Sequence, residues 1–297
     1  MTQTTNGVRV AINNILYLTD FSQPSEAALP FAAAIAREYG AKVYAFHALI
    51  PAVYTYTTPE TATAALDAQE DDAQANMQRV NAQLSGLTHE TIVERNTGVW
   101  PAVENAIREY AIDLIVVGTH GRTGAQKLLM GSVAEEIFRR SHVPVLTIGP
   151  GEKHGAHRGA RFHHVLFATD FSEESLAAAR YALSMAQENE ARLTLLHVMK
   201  GPESFDKAAE DSVSSASFRL HEIVPETAES WCRPDALVRF GTAAERILEV
   251  ARERDADLIV LGVRGNRGVP GAATHLERTT AHKVVVYAPC PVLTVRG

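Results

Sequence analysis

The sequence predicts an α/β protein built as two tandem Rossmann-like domains, each a five-stranded parallel sheet with helices on both faces. Three observations predict it. First, the chain repeats itself. ILYLTDFS at Ile15–Ser22 returns as VLFATDFS at Val165–Ser172, and VYAFHAL at Val43–Leu49 as LTLLHVM at Leu193–Met199, both 150 residues later. AIDLIVVGTHG at Ala111–Gly121 returns as DADLIVLGVRG at Asp255–Gly265 after 144 residues, and VPVLTI at Val143–Ile148 as CPVLTV at Cys290–Val295 after 147. Second, short β-branched apolar runs alternate with helical patterns in each copy. That alternation describes βαβ winding, with strands buried on both faces of a parallel sheet. Third, turn and glycine signals follow these strands. Asp20, Ala48 and Gly118 all fall at carboxyl ends, where right-handed doubly wound sheets bind ligands.

In the first copy, strands are expected near Ile15–Leu18, Val43–Ala48, Glu90–Glu94, Leu114–Val117 and Val145–Ile148. Helices are expected after Ser22, through the sixties to the mid-eighties, over Trp100–Tyr110 and from Ser132. In the second copy, the strands fall near Val165–Ala168, Leu193–Val198, Asp235–Arg239, Leu258–Leu261 and Val292–Val295. The domains are placed at 8–149 and 163–297, with a linker over 150–162. The connecting text GPGEKHGAHRGARFHH is rich in glycine, histidine and arginine. His154, His157, His163 and His164 have no cysteine or carboxylate spacing beside them, so they read as a solvated basic connector and not a metal cluster.

The 297 residues suffice for two ordinary domains, and 46% hydrophobic with 21% charged residues is a globular balance. A net charge of −7 and the lack of a basic stretch argue against a nucleic-acid partner. Cys232 and Cys290 lie far apart in no metal-like spacing, which fits free thiols in a reducing compartment. The N-terminus lacks the charged and apolar regions of a signal peptide, and no apolar run approaches membrane-spanning length. A cytoplasmic location is therefore expected.

The stretch DLIVVGTHGRTGAQKLLMGSVAEEI, Asp113 to Ile137, carries the chemistry. An apolar strand stops at Gly118, Gly121 follows, and Gly131-Ser132 opens an amphipathic helix. Ser132-Val-Ala-Glu135 has the form of a capping box. The first amides of such a helix have no internal partner and its dipole is positive there, so a phosphate against Gly131 and Ser132 would be well received. Gly118 and Gly121 have two readings: a simple turn, or close backbone approach to a ligand. Asp20, in LTDFS, is either a turn aspartate or a ligand contact, with Ser22 placed to cap the following helix. His47 and His197, at matching strand ends, read as structural hydrogen-bonding residues. His120 lies in the glycine loop with no nucleophile to serve, and no Ser/His/Asp or Cys/His arrangement is evident.

The pattern Gly118-x2-Gly121-x9-Gly131-Ser132, with its THGRTG and GSVAEEI wording, resembles the nucleotide signature of the universal stress proteins in their ATP-binding branch. It resembles neither a Walker A loop nor a GxGxxG loop. The resemblance implies a cytoplasmic ATP-binding protein acting in stress response or regulation, with binding, not turnover, as the useful event. It implies adenine-nucleotide contacts at Leu18, Asp20, Ala48, Gly118, Gly121, Arg122, Gly131, Ser132 and Val133, with Leu18 standing where that branch often has proline. Mg2+ is expected with the triphosphate. It further implies an intramolecular pseudo-dimer of the two copies, which would protect the apolar fifth strands. Homodimerisation of whole chains is left open. The alternatives are a slow ATPase or phosphotransferase, with Arg122, Lys127 and His120 as movable groups, and an interaction scaffold independent of nucleotide.

The second copy departs from the pattern. It retains Asp170, Gly262 and Gly265, but its loop is three residues longer, the Gly-Ser pair is replaced by Arg278-Thr279, and the capping-box glutamate by His282. A weaker second site there would use Asp170, Val198, Gly262, Gly265 and Thr279. A rebuilt site gripped by Arg264, Arg267 and Arg278 is the alternative. The expectation is one nucleotide per chain, held by the first copy.

Overall fold

The computed structural model describes residues 8–50, 59–119, 130–149, 160–201, 207–232, 234–264 and 279–297. The chain divides into two compact units, one of Ala11–Val145 and one of Met1–Val10 with Leu146–Gly297.

In the first of these units β1 (Asn14–Leu18), β2 (Lys42–Leu49), β3 (His89–Arg95) and β4 (Leu114–Gly118) lie in the order β3-β2-β1-β4. All three pairings are parallel, with Leu18 opposite both Phe46 and Val117. β1 and β4 are buried on both faces, as their continuous apolar text requires. The chain winds outward through β2 and β3 and then returns to the other side of β1, so the strand order reverses there. That reversal opens a crevice at the carboxyl edge.

The first helical region is broken, because Pro24 and Pro30 each suit a helix's opening turn and not its interior. It forms α1 (Gln23–Glu26) and α2 (Leu29–Tyr39), the latter closed by Gly40 at φ +71°. The long helix α3 (Pro59–Gln83) buries the single stripe Ala73, Met77 and Val80, continued just beyond its end by Leu84. α4 (Val99–Glu109) buries Trp100, Val103 and Ile107 at helical spacing, and α5 (Ser132–Arg140) buries Ala134, Ile137 and Phe138. Asp113 locks the amino ends of β1 and β4 by accepting from the amides of Asn13 (2.7 Å) and Asn14 (3.0 Å).

The second unit repeats the plan with β6 (His164–Ala168), α6 (Glu173–Glu188), β7 (Arg192–Met199), α7 (Lys207–Glu222), β8 (Asp235–Phe240), α8 (Ala243–Glu253), β9 (Leu258–Val263), α9 (Thr280–Tyr287) and β10 (Val292–Arg296). Asp257 reproduces the clamp on His163 (2.8 Å) and His164 (3.0 Å). β5 (Val145–Ile148) lies beside β10, where Thr147 donates its hydroxyl to the Val292 carbonyl at 3.1 Å. The edge that the sequence leaves open on the last strand of the second copy is thereby covered.

One histidine of the connector is not solvated. His164 is buried as the first residue of β6, its Nδ1 donating to the Arg254 carbonyl and its Nε2 accepting from the Thr194 hydroxyl, both at 2.8 Å. Burial holds its pKa below the ordinary histidine value, against the Arg254 hydrogen bond. Both cysteines are buried and neither is in a disulfide, and burial pushes the Cys232 thiol up to about 11.

Candidate functional site

The site is assembled from three strand ends and the starts of α4 and α5. After β1 the chain makes a tight turn in which Phe21 takes φ +60°, a costly conformation for a bulky residue. Side chains hold it there. Thr19 Oγ1 accepts from the Phe21 amide at 3.0 Å, and Asp20 Oδ1 accepts from the Ser22 amide at 3.0 Å and from the Ser22 hydroxyl. Ser22 caps α1, while Tyr17 donates its hydroxyl to the Ser25 carbonyl at 2.9 Å. Burial pushes the Tyr17 phenol up to about 12, so it remains a donor. From β2, His47 donates Nδ1 to the Thr19 carbonyl at 2.8 Å and lays its ring against Phe21, centroids 4.5 Å apart. His47 thus braces the turn that presents Asp20.

The helix start differs from a capping box. The N-cap is Gly131, at φ −61° and ψ 147°, and no side chain caps the helix; Ser132 is its first residue. Glu135 therefore sits one position too far along to reach back, and instead approaches Arg139 at 3.8 Å. The glycine moves the cap one residue upstream and leaves the opening turn of α5 without a side-chain acceptor. The Gly131 amide donates to the Thr119 carbonyl at 2.6 Å, drawing that opening turn onto the end of β4.

Between these parts lies a cavity of about 290 Å³, at the small end for ligand sites. Leu18, Asp20, Ala48, Gly118, Gly131, Ser132 and Val133 all line it, together with His47. Gly121 and Arg122, and His120 beside them, lie outside the described residues. Thr19, Ser25, Phe46, Val99, Val117 and Ala134 also line the cavity, although sequence reading did not select them as contacts. The polar pair had a legible signal, since Thr19 opens the repeated TDFS text and Ser25, three residues beyond it, recurs as Ser175; Val99 comes from a helix start that no motif marks.

Gly118 is explained by packing. A Cβ there would lie 2.4 Å from the Pro24 carbonyl oxygen, so the missing side chain lets α1 sit on β4. Gly262 repeats this in the second unit, 2.3 Å from Ser175 Cα.

The second unit builds the same turn. Phe171 has φ +62°, Asp170 accepts from the Ser172 amide at 3.0 Å, and His197 donates to the Thr169 carbonyl at 2.9 Å. Burial acts to raise the Asp170 pKa, but hydrogen bonds from Ser172 and Ser175 and the Arg264 charge bring it below the usual carboxylate range. Its helix start is closed, however. Thr279 is the N-cap of α9, and its hydroxyl accepts from the His282 amide at 3.2 Å. Asp170, Val198 and Gly262 line a cavity of about 730 Å³ with Thr280 and Ala281. Thr279 does not line it, and Gly265, Arg267 and Arg278 lie outside the described residues.

The sequence profile described as the universal stress protein family matches residues 11–149 and 161–296. The chain belongs to that family. It is similar over both halves to a universal stress protein of Mycolicibacterium smegmatis, 26% identical over 95% of this chain and 96% of that one. A universal stress protein of Thermus aquaticus is 36% identical over 46% of this chain and 99% of its own length. Among solved structures, a universal stress protein from Archaeoglobus fulgidus has the same fold at a TM-score of 0.70 and 22% identity, covering 97% of this chain and 99% of that one. This universal stress protein thus carries the family's unit twice. Among the described residues no helix is long and apolar enough to cross a membrane.

Proposed function

We propose that this universal stress protein binds one adenine nucleotide, ATP with Mg2+, in the cavity of its first unit, and acts in stress response by binding and not by turnover. The uncapped start of α5 carries the reading. Its opening residues line the cavity and no side chain caps its first amides, so the helix dipole there favours an anion. The phosphates lie against Gly131, Ser132 and Val133, while the base and ribose occupy the apolar space bounded by Leu18, Phe46, Ala48 and Val99 with Asp20 beside them. No group of three acidic, histidine or cysteine side chains stands together among the described residues, so the magnesium is carried by the phosphates.

Gly131 permits a clean test. Its φ of −61° is open to any residue, so a bulky side chain there blocks ligand access without backbone strain. ATP at a hundred times its dissociation constant should stabilise the parent by about 2.7 kcal/mol. Gly131→Trp should keep the unliganded melting temperature and lose that increment; a variant stabilised as the parent is would refute the placement.

A further inference from the structure

The second cavity differs from the first in more than its helix cap. Where Leu18, Phe46 and Val99 line the first, Ala168, Leu196 and Ala243 line the second, so three walls recede. At its rim Lys200 stands at the position of Ile50. A neighbouring hollow of about 560 Å³ shares Gly201 and Gly241 with it and is lined by Arg239 and Arg246. Three cations therefore converge where β7 and β8 end and α8 begins.

Each departs from the first copy. Arg239, opposite Val198, stands where Glu94 stands opposite Ala48, so a cation replaces a carboxylate; Arg239 and Lys200 make no ion pair among the described residues. Arg246 corresponds to Ala102. Its Nη1 is engaged by Glu249, yet its Nε is buried without a hydrogen-bond partner, an arrangement that costs free energy unless something fills it. Gly241, at φ +127° where the first copy has Asn96, keeps the approach open: a Cβ there would stand 3.0 Å from that Nε. The α8 N-cap, Thr242, makes no side-chain hydrogen bond. Asp170, which follows β6, also lines the cavity; with its pKa held low it stays ionised and repels anions.

We infer that the second unit holds an apolar molecule with one anionic end, its head among Lys200, Arg239 and Arg246 and its body against Leu196, Ile247 and Leu261. The ligand is of the aliphatic carboxylate class. Charge orients it, because the cations stand beyond β7, on β8 and in α8, whereas Asp170 stands beyond β6. The site shares no residue with the nucleotide cavity of the first unit.

Calorimetric titration of the full chain with sodium decanoate, below its micellar concentration, tests this. One saturable site is expected, with affinity unchanged by saturating MgATP. Lys200→Glu and Arg239→Glu should each weaken decanoate by about tenfold while melting as the parent does, since both replace an attraction near the head by a repulsion. Decanol, which lacks the head, should bind at least as weakly as decanoate binds to those variants. The inference is overturned by absence of saturable decanoate binding, by displacement with MgATP, by charge-reversed variants that bind as the parent, or by decanol binding as well as decanoate. None of these outcomes bears on whether the first unit binds ATP.

Discussion

The starts of α5 and α9 occupy equivalent places in the two copies and end differently. In α5 the cap is a glycine and the first amides meet no side chain; in α9 the Thr279 hydroxyl takes the His282 amide for itself. The hydrogen bonds of the turns beneath them match to within a few tenths of an ångström, down to the histidine that braces each turn. A duplicated scaffold can therefore keep its turn architecture while one residue decides whether a helix dipole faces a cavity or a hydroxyl.

The largest effects should come where the copies agree. Gly118→Val and Gly262→Val each drive a side chain into the backbone of a helix start, α1 and α6 respectively. Each should cost about 3 kcal/mol in denaturant unfolding, with or without ATP. A neutral Gly118→Val would mean that the glycine serves a ligand and not the packing of α1. Next comes the asymmetry itself: titration with ATP should give a stoichiometry near one, falling to none in Gly131→Trp. A value near two, with one site surviving in that variant, would break the comparison.

Removing the cap hydroxyl is a smaller perturbation. Thr279→Ala should destabilise by about 1 kcal/mol in thermal unfolding, whereas Ser132→Ala removes no cap and should cost no more than a few tenths. Equal losses would show that Ser132 caps α5 after all.

The last effect is a pH dependence confined to the second copy, where His164 stands at the position of Asn14. Its folded pKa is depressed, with Arg192, Arg254 and Asp257 as its charged neighbours. The unfolded chain takes up the proton first, so the neutral form stabilises the fold above about pH 6.5, and that contribution declines as pH falls toward the folded value. Melting temperature between pH 5 and 8 should therefore drop on the acid side in the parent, and less so in His164→Gln. An identical slope in the two proteins would exclude His164 as the cause.

Much of this was legible in the text. The TDFS turns, the strand ends and the helix starting at Ser132 follow from local chemistry, in which a few adjacent residues satisfy one another's hydrogen bonds. Gly118 was legible as a special position but not as to its reason, because the atom it avoids belongs to Pro24, 94 residues earlier. The capping box failed for a related cause: Gly131 and Ser132 can each serve as an N-cap, and the contact of the Gly131 amide with Thr119 accompanies the register in which glycine is the cap.

By itself the sequence determined the duplication, the α/β winding, the parallel strands and the residues brought to the carboxyl edge, since apolar periodicity and turn chemistry act over short spans of chain. Tertiary structure alone decided which glycines serve packing, which helix start remains open, that His164 is buried, and that Lys200, Arg239 and Arg246 meet around Gly241. Those outcomes depend on distances between segments far apart in the chain, and no local pattern records them.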